Sequence, residues 1–396
     1  MESRKYFLPI LFFIILLNGC SLLNKKEAKI AKNSLFSQVK KKFIPKIIWD
    51  VNVGDGFGDF YSTLHPVWEN NTVYAADRFG VVKAFNANTG KRKWKVFLFK
   101  KEDIYSNYTS ALLSSGITIN GDLIYIGSER GFVYALNKTD GSIAWKSQVA
   151  GEVLSTPVIS DNGLVLLHTT NGMLQGLDKN NGKIKWSINI EIPSLSLRGE
   201  STPAITMDGL AIVGTDNGRV LAILLDQGEI LWQQSIFQLS GIRSIDYFHD
   251  VDMTPIILND MVYAAAYNGK LTALNLHSGH ILWRRKLGNI KNIIINANRI
   301  YLVDQDDIIF SYNIDGTKFI WRQNNFVHRD LTCPVLFKKY LVVGDSKGYV
   351  YWINISNGNL VAQQKLNNYG FQNELTVADN KILIQSKDGK LYAITL

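Results

Sequence analysis

The sequence predicts an all-β fold, an eight-bladed β-propeller with four antiparallel strands in each blade. Three observations predict it: an apolar unit recurs eight times, two glycine turns stand at fixed places in the unit, and a tryptophan stands near its end. Successive copies are 38 to 51 residues apart, which is the length that four short strands and their turns require.

Each copy reads as an apolar strand, a turn ending in glycine, an alternating strand, a second glycine turn and a strand with tryptophan. Such turns suit glycine, which adopts positive φ without steric cost, so each copy predicts consecutive hairpins. Seven copies span 73–94, 124–145, 165–186, 211–232, 262–283, 300–321 and 341–362, and an incomplete eighth ends at Leu396. The first-turn positions are Gly80, Gly131, Gly172, Gly218, Gly269, Asp307, Gly348 and Gly389.

The start of each blade and the closure of the ring are also predicted. The eighth copy lacks its tryptophan strand, and Ile47-Ile48-Trp49 supplies one at the other end of the sequence. We expect this segment to pair as the outer strand of the last blade and so to remove an open sheet edge. Prolines suit a strand's first residue, where an N–H is dispensable. Five of them precede the expected inner strands: Pro66, Pro157, Pro203, Pro255 and Pro334.

A small residue follows each first-turn position by four residues, and a tryptophan follows it by ten more. Across a three-residue turn these two positions face each other, so the tryptophans are predicted to be core side chains and not a ring that stacks a quinone or sugar. The seventh copy inverts the pair as Trp352 and Ala362, which keeps the summed volume that a packed interior demands.

The N-terminus is predicted to be a lipoprotein signal peptide over residues 1–19. Arg4 and Lys5 precede a short apolar run, and Leu17-Asn18-Gly19-Cys20 is similar to the bacterial lipobox, in which Cys20 is lipidated. Acyl chains on one cysteine give stable membrane anchoring. Residues 20–46 are predicted to be a lipidated flexible tether, and residues 47–396 the propeller. By resemblance, Ser21 after the cysteine favours the outer membrane.

Composition argues against several other classes of protein. The net charge is +9, but residues 21–46 hold +7 and residues 1–19 hold +1, which leaves +1 for residues 47–396. Residues 47–396 therefore have almost no excess of positive charge with which to neutralise phosphates. Nucleic acid is not an expected partner. Two distant cysteines, Cys20 and Cys333, support neither a disulfide framework nor a metal site.

No catalytic residue, metal site or cofactor is predicted. His277-Ser278-Gly279-His280 occupies a turn of the repeat, and Asp304-Gln305-Asp306-Asp307 departs from the calcium-loop pattern and is predicted to be a solvated turn. Serine, histidine and aspartate are scattered evenly by the repeat, and a catalytic triad is recognised by geometry.

The spacings Gly-x-x-x-small-x-Asn and Gly-x-x-x-Trp resemble the repeat of pyrroloquinoline-quinone-dependent dehydrogenases over residues 47–396. That resemblance implies the propeller fold. Those enzymes use a calcium-held quinone, an aspartate base and often an adjacent-cysteine disulfide, whereas Cys333 has no neighbouring cysteine. A fold alone does not carry chemistry, so the dehydrogenase remains an alternative and the chain is expected not to be an enzyme.

The lipobox, the eight-blade count and two insertions together resemble the BamB family, lipoproteins of the machinery that inserts β-barrels into the bacterial outer membrane. This resemblance implies a monomeric, non-catalytic scaffold subunit on the periplasmic face, lipid-anchored to the outer membrane. It implies a partner as well, the periplasmic repeat domains of the large barrel subunit. A propeller lipoprotein of another envelope complex is the remaining alternative.

The two insertions follow consecutive blades, at 191–200 and 237–254, and long loops on a rigid scaffold are where binding residues collect. Leucines beside an arginine are typical of an interface centre, and arginine can bind a carboxylate through two N–H groups. The alternative is that the arginine pairs internally with one of the aspartates. By motif, the family's partner-binding residues fall on Leu195, Leu197, Arg198, Asp250 and Asp252.

Overall fold

The computed structural model describes residues 42–98, 109–193, 199, 201–237, 250–267, 270–287 and 290–396. These residues form eight antiparallel sheets of four strands, and the predicted all-β propeller is confirmed. Within these ranges the structure contains no helix of the length and apolarity needed to cross a membrane.

Each blade runs from an inner strand to an outer strand in chain order, and only the last blade takes its outer strand from elsewhere. Blades one to three comprise β2 (Val67–Glu69), β3 (Thr72–Ala76), β4 (Val81–Asn86), β5 (Arg92–Phe97); β6 (Thr118–Asn120), β7 (Leu123–Ser128), β8 (Phe132–Asn137), β9 (Ile143–Gln148); β10 (Val158–Ile159), β11 (Leu164–Thr169), β12 (Met173–Asp178), β13 (Ile184–Asn189). Blades four to six comprise β14 (Ala204–Ile205), β15 (Leu210–Gly214), β16 (Arg219–Leu224), β17 (Glu229–Ser235); β18 (Ile256–Leu258), β19 (Met261–Ala265), β20 (Leu271–Asn275), β21 (Ile281–Arg285); β22 (Ile290–Asn296), β23 (Arg299–Asp304), β24 (Ile309–Asn313), β25 (Phe319–Gln323). Blades seven and eight comprise β26 (Val335–Phe337), β27 (Tyr340–Gly344), β28 (Tyr349–Asn354), β29 (Leu360–Lys365); β30 (Thr376–Ala378), β31 (Lys381–Gln385), β32 (Lys390–Thr395) and β1 (Lys46–Asn52).

The predicted strand starts and cross-strand pairs are confirmed. The five prolines each stand directly before an inner strand, where no ladder N–H is needed. The small residue and the tryptophan lie opposite each other in every blade, and in blade seven the order is reversed as predicted. The pairs are Ala84–Trp94, Ala135–Trp145, Gly176–Trp186, Ala222–Trp232, Ala273–Trp283, Ser311–Trp321, Trp352–Ala362 and Ala393–Trp49.

The outer tryptophans connect neighbouring blades. In six blades the indole N–H donates to a backbone carbonyl of the next blade, and Trp49 does so to Ala87 at 2.9 Å. The ring of Trp49 also lies against Gly90, where an added Cβ would be 3.0 Å from the indole. Trp49 therefore has the role of the missing eighth tryptophan, and the predicted closure by β1 is confirmed by its pairing with β32.

The hydrophobic core divides into eight clusters, each between two adjacent blades. The cluster between blades seven and eight contains Trp352 and Phe371, and that between blades eight and one contains Trp49 and Leu391. The other six clusters fill the remaining interfaces in the same way. The ring is therefore stabilised by lateral packing between blades, and each interface excludes water independently.

The packed part of the chain starts before the predicted boundary at Ile47. Lys42 donates its backbone N–H to Val361 of β29 at 2.8 Å. The ring of Phe43 lies 5.3 Å from that of Tyr340 and 6.3 Å from that of Trp352. Residues 42–45 thus run along blade seven before β1 begins in blade eight.

The turn after β23 is only partly solvated: Gln305 and Asp306 are exposed as predicted, whereas for Asp304 and Asp307 the prediction is wrong. Asp304 and Asp307 are 8% and 3% exposed. Asp307 has the positive φ of the glycine it replaces, 62°. Its carboxylate accepts three backbone N–H groups, from Arg329, Asp330 and Leu331, at 2.7 to 2.9 Å. Since a buried carboxylate is tolerated when its oxygens are hydrogen-bonded, this side chain stabilises the connection to blade seven and compensates for the strained backbone.

Candidate partner-binding site

In six blades, the chain leaves the outer strand beside the first turn of the same blade. The residue after the outer strand donates its N–H to the carbonyl of the first-turn glycine, as Ile190 does to Gly172 at 2.7 Å and Ile236 to Gly218 at 3.0 Å. Connections and first turns therefore share one face of the ring. The described ends of both predicted insertions belong to this face.

The first insertion joins β13 to β14. Its start is held by Asn217 of blade four, whose Nδ2 donates to the carbonyl of Glu191 at 3.0 Å. The next side chain, Ile192, is 43% exposed. The predicted binding residues Leu195, Leu197 and Arg198 lie outside the described residues, as does the predicted lipidation site Cys20.

The second insertion ends in Asp250-Val251-Asp252, before β18. Val251 is 1% exposed and packs in the cluster between blades four and five. Its N–H donates to the carbonyl of Thr215 at 3.1 Å, and the carbonyl of Asp250 accepts the N–H of Tyr267 at 2.8 Å. A buried valine thus fixes the backbone, and the flanking aspartates take defined positions. Both aspartates have interaction partners, and Asp250 is itself buried.

The two insertions meet. A Cβ added to Gly199 of the first would lie 2.8 Å from the Oδ2 atom of Asp252 in the second. Next to this contact, the Ser201 hydroxyl donates to the carbonyl of Met253 at 3.2 Å and accepts the N–H of Gly214 at 3.1 Å. The two insertions, which follow consecutive blades, therefore lie side by side at these residues, and Arg198 directly precedes Gly199 in the chain.

Asp250 and Asp252 also line a cavity of about 720 Å³ on the axis of the ring. Side chains of both signs surround it, with Asp330 and Glu374 as further acids and Lys291 and Lys387 as bases. The Lys291 ammonium donates to the carbonyl of Leu331 at 3.0 Å and lies 3.6 Å from Asp307. The cavity lining thus carries charges of both signs, and the two aspartates are part of it.

The sequence analysis did not predict this cavity, although the positions of the inner-strand prolines indicate part of its lining. The residue before each inner-strand proline contributes to its lining, and these residues are His65, Thr156, Thr202, Thr254 and Cys333. A residue before proline is held extended. Burial, and then the nearby Glu374, raise the pKa of the Cys333 thiol, so this cysteine is not a reactive thiolate.

The residues that line the cavity can be compared with those that a metal or a stacked cofactor would need. Within the ranges that the structure describes, no three His, Cys, Asp or Glu side chains are grouped so that they could hold a metal ion. The cavity lining includes no tryptophan, since the outer tryptophans lie between blades. Fold and repeat together define a class of protein, the eight-bladed propellers built from quinoprotein-type repeats.

Comparison with known proteins identifies the family within that class. Residues 78–323 match the family described as outer membrane protein assembly factor BamB. The protein of that name from Salmonella typhimurium is 54% identical over 395 residues, which is 100% of both chains. The chain belongs to the BamB family.

Solved structures show the same fold. The crystal structure of BamB from Moraxella catarrhalis covers 89% of this chain and 100% of its own, with a TM-score of 0.77 and 23% identity. A quinohemoprotein alcohol dehydrogenase from Comamonas testosteroni covers 88% of this chain and 76% of its own, with a TM-score of 0.68 and 11% identity. At these identities the likeness concerns the fold alone.

Proposed function

We propose that this protein is a non-catalytic scaffold subunit of the outer-membrane β-barrel assembly machinery. Its family membership supports this role, because the relatives that match it over their full length are named assembly factors. The relatives' names support an association with the outer membrane, and the dehydrogenase alternative is supported only by likeness of fold.

The finer part of the proposal concerns the partner. The joined insertions would bind the periplasmic repeat domains of the large barrel subunit, with Leu195, Leu197 and Arg198 on one loop and Asp250 and Asp252 on the other. The observation that carries this proposal is the contact of Gly199 with Asp252, which brings the two loops together.

A binding assay with a charge reversal tests the proposed site. The protein from residue 21 onward would be mixed with the purified periplasmic domains of the barrel subunit, as wild type and as Arg198→Glu. We expect the variant to lose binding with an unchanged melting temperature. The matched control is Arg322→Glu, an exposed arginine on the outer strand of blade six, which should bind as wild type does.

Three results would contradict the proposed partner or its binding site. Normal binding by a folded Arg198→Glu variant would remove Arg198 from the interface. Loss of binding together with a lower melting temperature would instead favour the internal pairing of Arg198 with Asp250 or Asp252. If wild type itself fails to bind, the proposed partner is wrong and another envelope complex becomes the better hypothesis.

The proposed membrane attachment is tested separately. Lipidation of Cys20 would hold the propeller at the periplasmic face of the outer membrane, with residues 21–41 as the tether. We expect Cys20→Ser to move the protein from the outer-membrane fraction to the soluble fraction. Ser21→Ala is the matched control and should stay with the membrane. Retention of Cys20→Ser in the membrane would contradict the lipid anchor.

A further inference from the structure

Charge is unevenly distributed on the face of the ring opposite the insertions. This face carries the second turns and also the inner turns, which join each inner strand to the next strand of its blade. Lys338 and Lys339 form the inner turn of blade seven. Lys42 precedes β1 and Lys46 begins it, and all four side chains are exposed. On the other side of the ring, the turns of blades three to five carry two lysines and four exposed aspartates: Lys179, Lys183, Asp161, Asp208, Asp226 and Asp260.

Contacts between the start of the packed chain and blade seven bring the four lysines to one edge. Lys42 donates its backbone N–H to Val361, next to the second turn of that blade. The ring of Phe43 lies 5.3 Å from that of Tyr340, the residue that follows Lys339. Residues 42–46 therefore run beside the inner turn of blade seven.

An exposed apolar side chain stands among these charges. Ile44 lies between Lys42 and Lys46 in the chain and is 75% exposed. An apolar residue flanked by cations is typical of a segment that binds in the interface of a membrane. The name basic edge is used below for five residues: Lys42, Ile44, Lys46, Lys338 and Lys339.

The backbone of Lys338 indicates that its side chain has a role of its own. Its φ is 56°, in the left-handed region that asparagine, aspartate and glycine adopt most readily. The matching positions of the other two-residue inner turns are Asn70, Gly121, Asn259, Ala297 and Asp379. Asparagine would form this turn with less strain, so turn geometry does not account for a lysine here.

The charge of the basic edge is not neutralised within the part of the chain that the structure describes. None of its four lysines forms an ion pair there. The Lys338 ammonium lies 5.3 Å from the centre of the Phe337 ring, and that of Lys339 lies 5.9 Å from the Tyr340 ring. The described turns of blades seven and eight on this face hold one acidic side chain, Asp379. An anionic partner would therefore relieve repulsion among these lysines.

The position of the basic edge relates it to the proposed anchor. Cys20 stands 22 residues before Lys42 in the sequence. A chain of that length spans at most about 75 Å, so it keeps the ring close to a membrane without selecting which side of the ring faces it. Tethering gives a high effective concentration of membrane surface, so a few weak contacts suffice to orient the ring.

We propose that the basic edge lies on the anionic lipid headgroups of the membrane that holds the anchor, with Ile44 inserted among them. Each lysine near an anionic surface is attracted to it, and the exposed isoleucine adds burial of apolar area. An acidic protein would satisfy the charges as well, but the anchor keeps a bilayer within reach of this edge. The proposal rests on the proposed attachment at Cys20 and adds the orientation of the ring.

This orientation leaves the insertions accessible. They follow blades three and four, which stand across an eight-bladed ring from blades seven and eight, and they lie on the other face. The acidic turns on the far side of the second-turn face would be repelled by anionic lipid, which favours the same tilt. A partner could bind the insertions while the basic edge contacts the bilayer.

A fluorophore that reports an apolar environment tests the orientation. The full-length protein is anchored in vesicles and labelled at one introduced cysteine, in Ile44→Cys or, as the matched control, in Met207→Cys. Met207 is 98% exposed on an inner turn of blade four, on the same face of the ring. Burial raises the pKa of the Cys333 thiol, so the label reacts with the introduced cysteine. The vesicles contain phosphatidylcholine alone or with phosphatidylglycerol.

We expect emission at position 44 to rise about two-fold or more when phosphatidylglycerol is present, and emission at position 207 to stay unchanged, since attraction to the surface requires anionic lipid. High salt should reverse the rise, because it screens the charges and leaves the anchor in place.

Two pairs of substitutions test the lysines. Lys338→Asn with Lys339→Asn gives blade seven the turn residues of blade one, Asn70 and Asn71, so the fold should be kept. This variant should lose most of the rise at position 44. The control, Lys179→Asn with Lys183→Asn, removes two charges from blade three and should keep the rise.

Four outcomes would overturn the proposal. Equal responses at positions 44 and 207 would show that the ring has no preferred side. An unchanged rise in the Lys338→Asn, Lys339→Asn variant would show that this turn is not involved. An equal rise with soluble polyglutamate in place of vesicles would assign the edge to an acidic protein. Failure to float with phosphatidylcholine vesicles would contradict the attachment at Cys20 itself, whereas flotation without a response at position 44 would contradict the basic edge alone.

Discussion

Trp352 shows that the small residue–tryptophan pair of the repeat is kept when the two residues exchange strands. It is fully buried on β28 and faces Ala362, where the other blades place a tryptophan on the outer strand. Close-packed interiors tolerate exchanges that conserve volume, and for this reason the inversion leaves the blade intact.

Replacing Trp352 with alanine is expected to cost about 3 to 5 kcal/mol in the free energy of unfolding, because alanine on both strands leaves a large cavity. Urea denaturation measures the loss. The double variant Trp352→Ala, Ala362→Trp restores the usual arrangement and should recover part of the stability. An unchanged denaturation midpoint for the single variant would contradict the packing argument.

Lys83 gives the charge on blade one a measurable effect on stability. Burial, and next the neighbouring Lys95 and Arg92, lower the pKa of its ammonium. The folded protein therefore binds fewer protons than the unfolded chain at alkaline pH just below lysine's ordinary value, and stability rises with pH in that window.

Arg92→Ile is expected to raise stability at neutral pH by up to about 1 kcal/mol, because it removes repulsion. The gain should shrink as pH rises through the alkaline window, where Lys83 in the wild type releases its proton. Thermal melting of both proteins from pH 7 to pH 10 measures the difference, and Arg322→Ile is the matched control. A gain that does not change with pH would show that Lys83 is not involved.

Single residues were predictable where the repeat determines them. The turn length fixes the register of the hairpin, so the eight small–tryptophan pairs follow from spacing alone. Asp307 was not predictable in the same way. Its place in a turn suggests solvent, whereas its burial depends on the backbone N–H groups of residues 329–331, which come close only in the folded ring.

At the scale of elements, the segment before β1 compensates for the exchange in blade seven. With Ala362 on β29, the outer strand lacks the ring that each other blade presents there. Phe43 packs against Tyr340 and Trp352 in this region, and Lys42 bonds to the edge of β29. The start of the packed chain could not be read from composition, because residues 40–42 are lysines typical of a solvated linker.

Phe43→Ala is expected to destabilise the protein by about 1 to 2 kcal/mol, less than the loss at Trp352, since a half-buried ring removes less apolar area from water. The neighbouring Ile44 is 75% exposed, so Ile44→Ala is the matched control and should not change the melting temperature. Equal effects of the two changes would contradict the packing of Phe43 on blade seven.

For the whole molecule, closure by β1 is the contact on which the ring depends. The strands of the ring were predictable from the repeat, and the insertions from their length. The course of each insertion was not, because it follows from contacts between different blades, such as Val251 against Gly214 and Gly199 against Asp252.

Removing residues 1–52 should open the ring and expose the edge of β32, and we expect association into dimers or larger species. Removing residues 1–41 keeps β1 and Phe43 and should leave a monomer. Light scattering after size-exclusion chromatography distinguishes the two. A monomeric, stably folded protein without residues 1–52 would show that β1 is not required for closure.

The pairing of β1 with β32 also sets an order of events in biosynthesis. The ribosome makes β1 first among the strands and β32 last, so the earliest strand has no partner while seven complete blades emerge after it. Blade eight is the last to form, however early the others fold. During that interval β1 and the face of blade one that it later covers remain exposed to water, and a chaperone that shields apolar segments would meet them before the ring is complete.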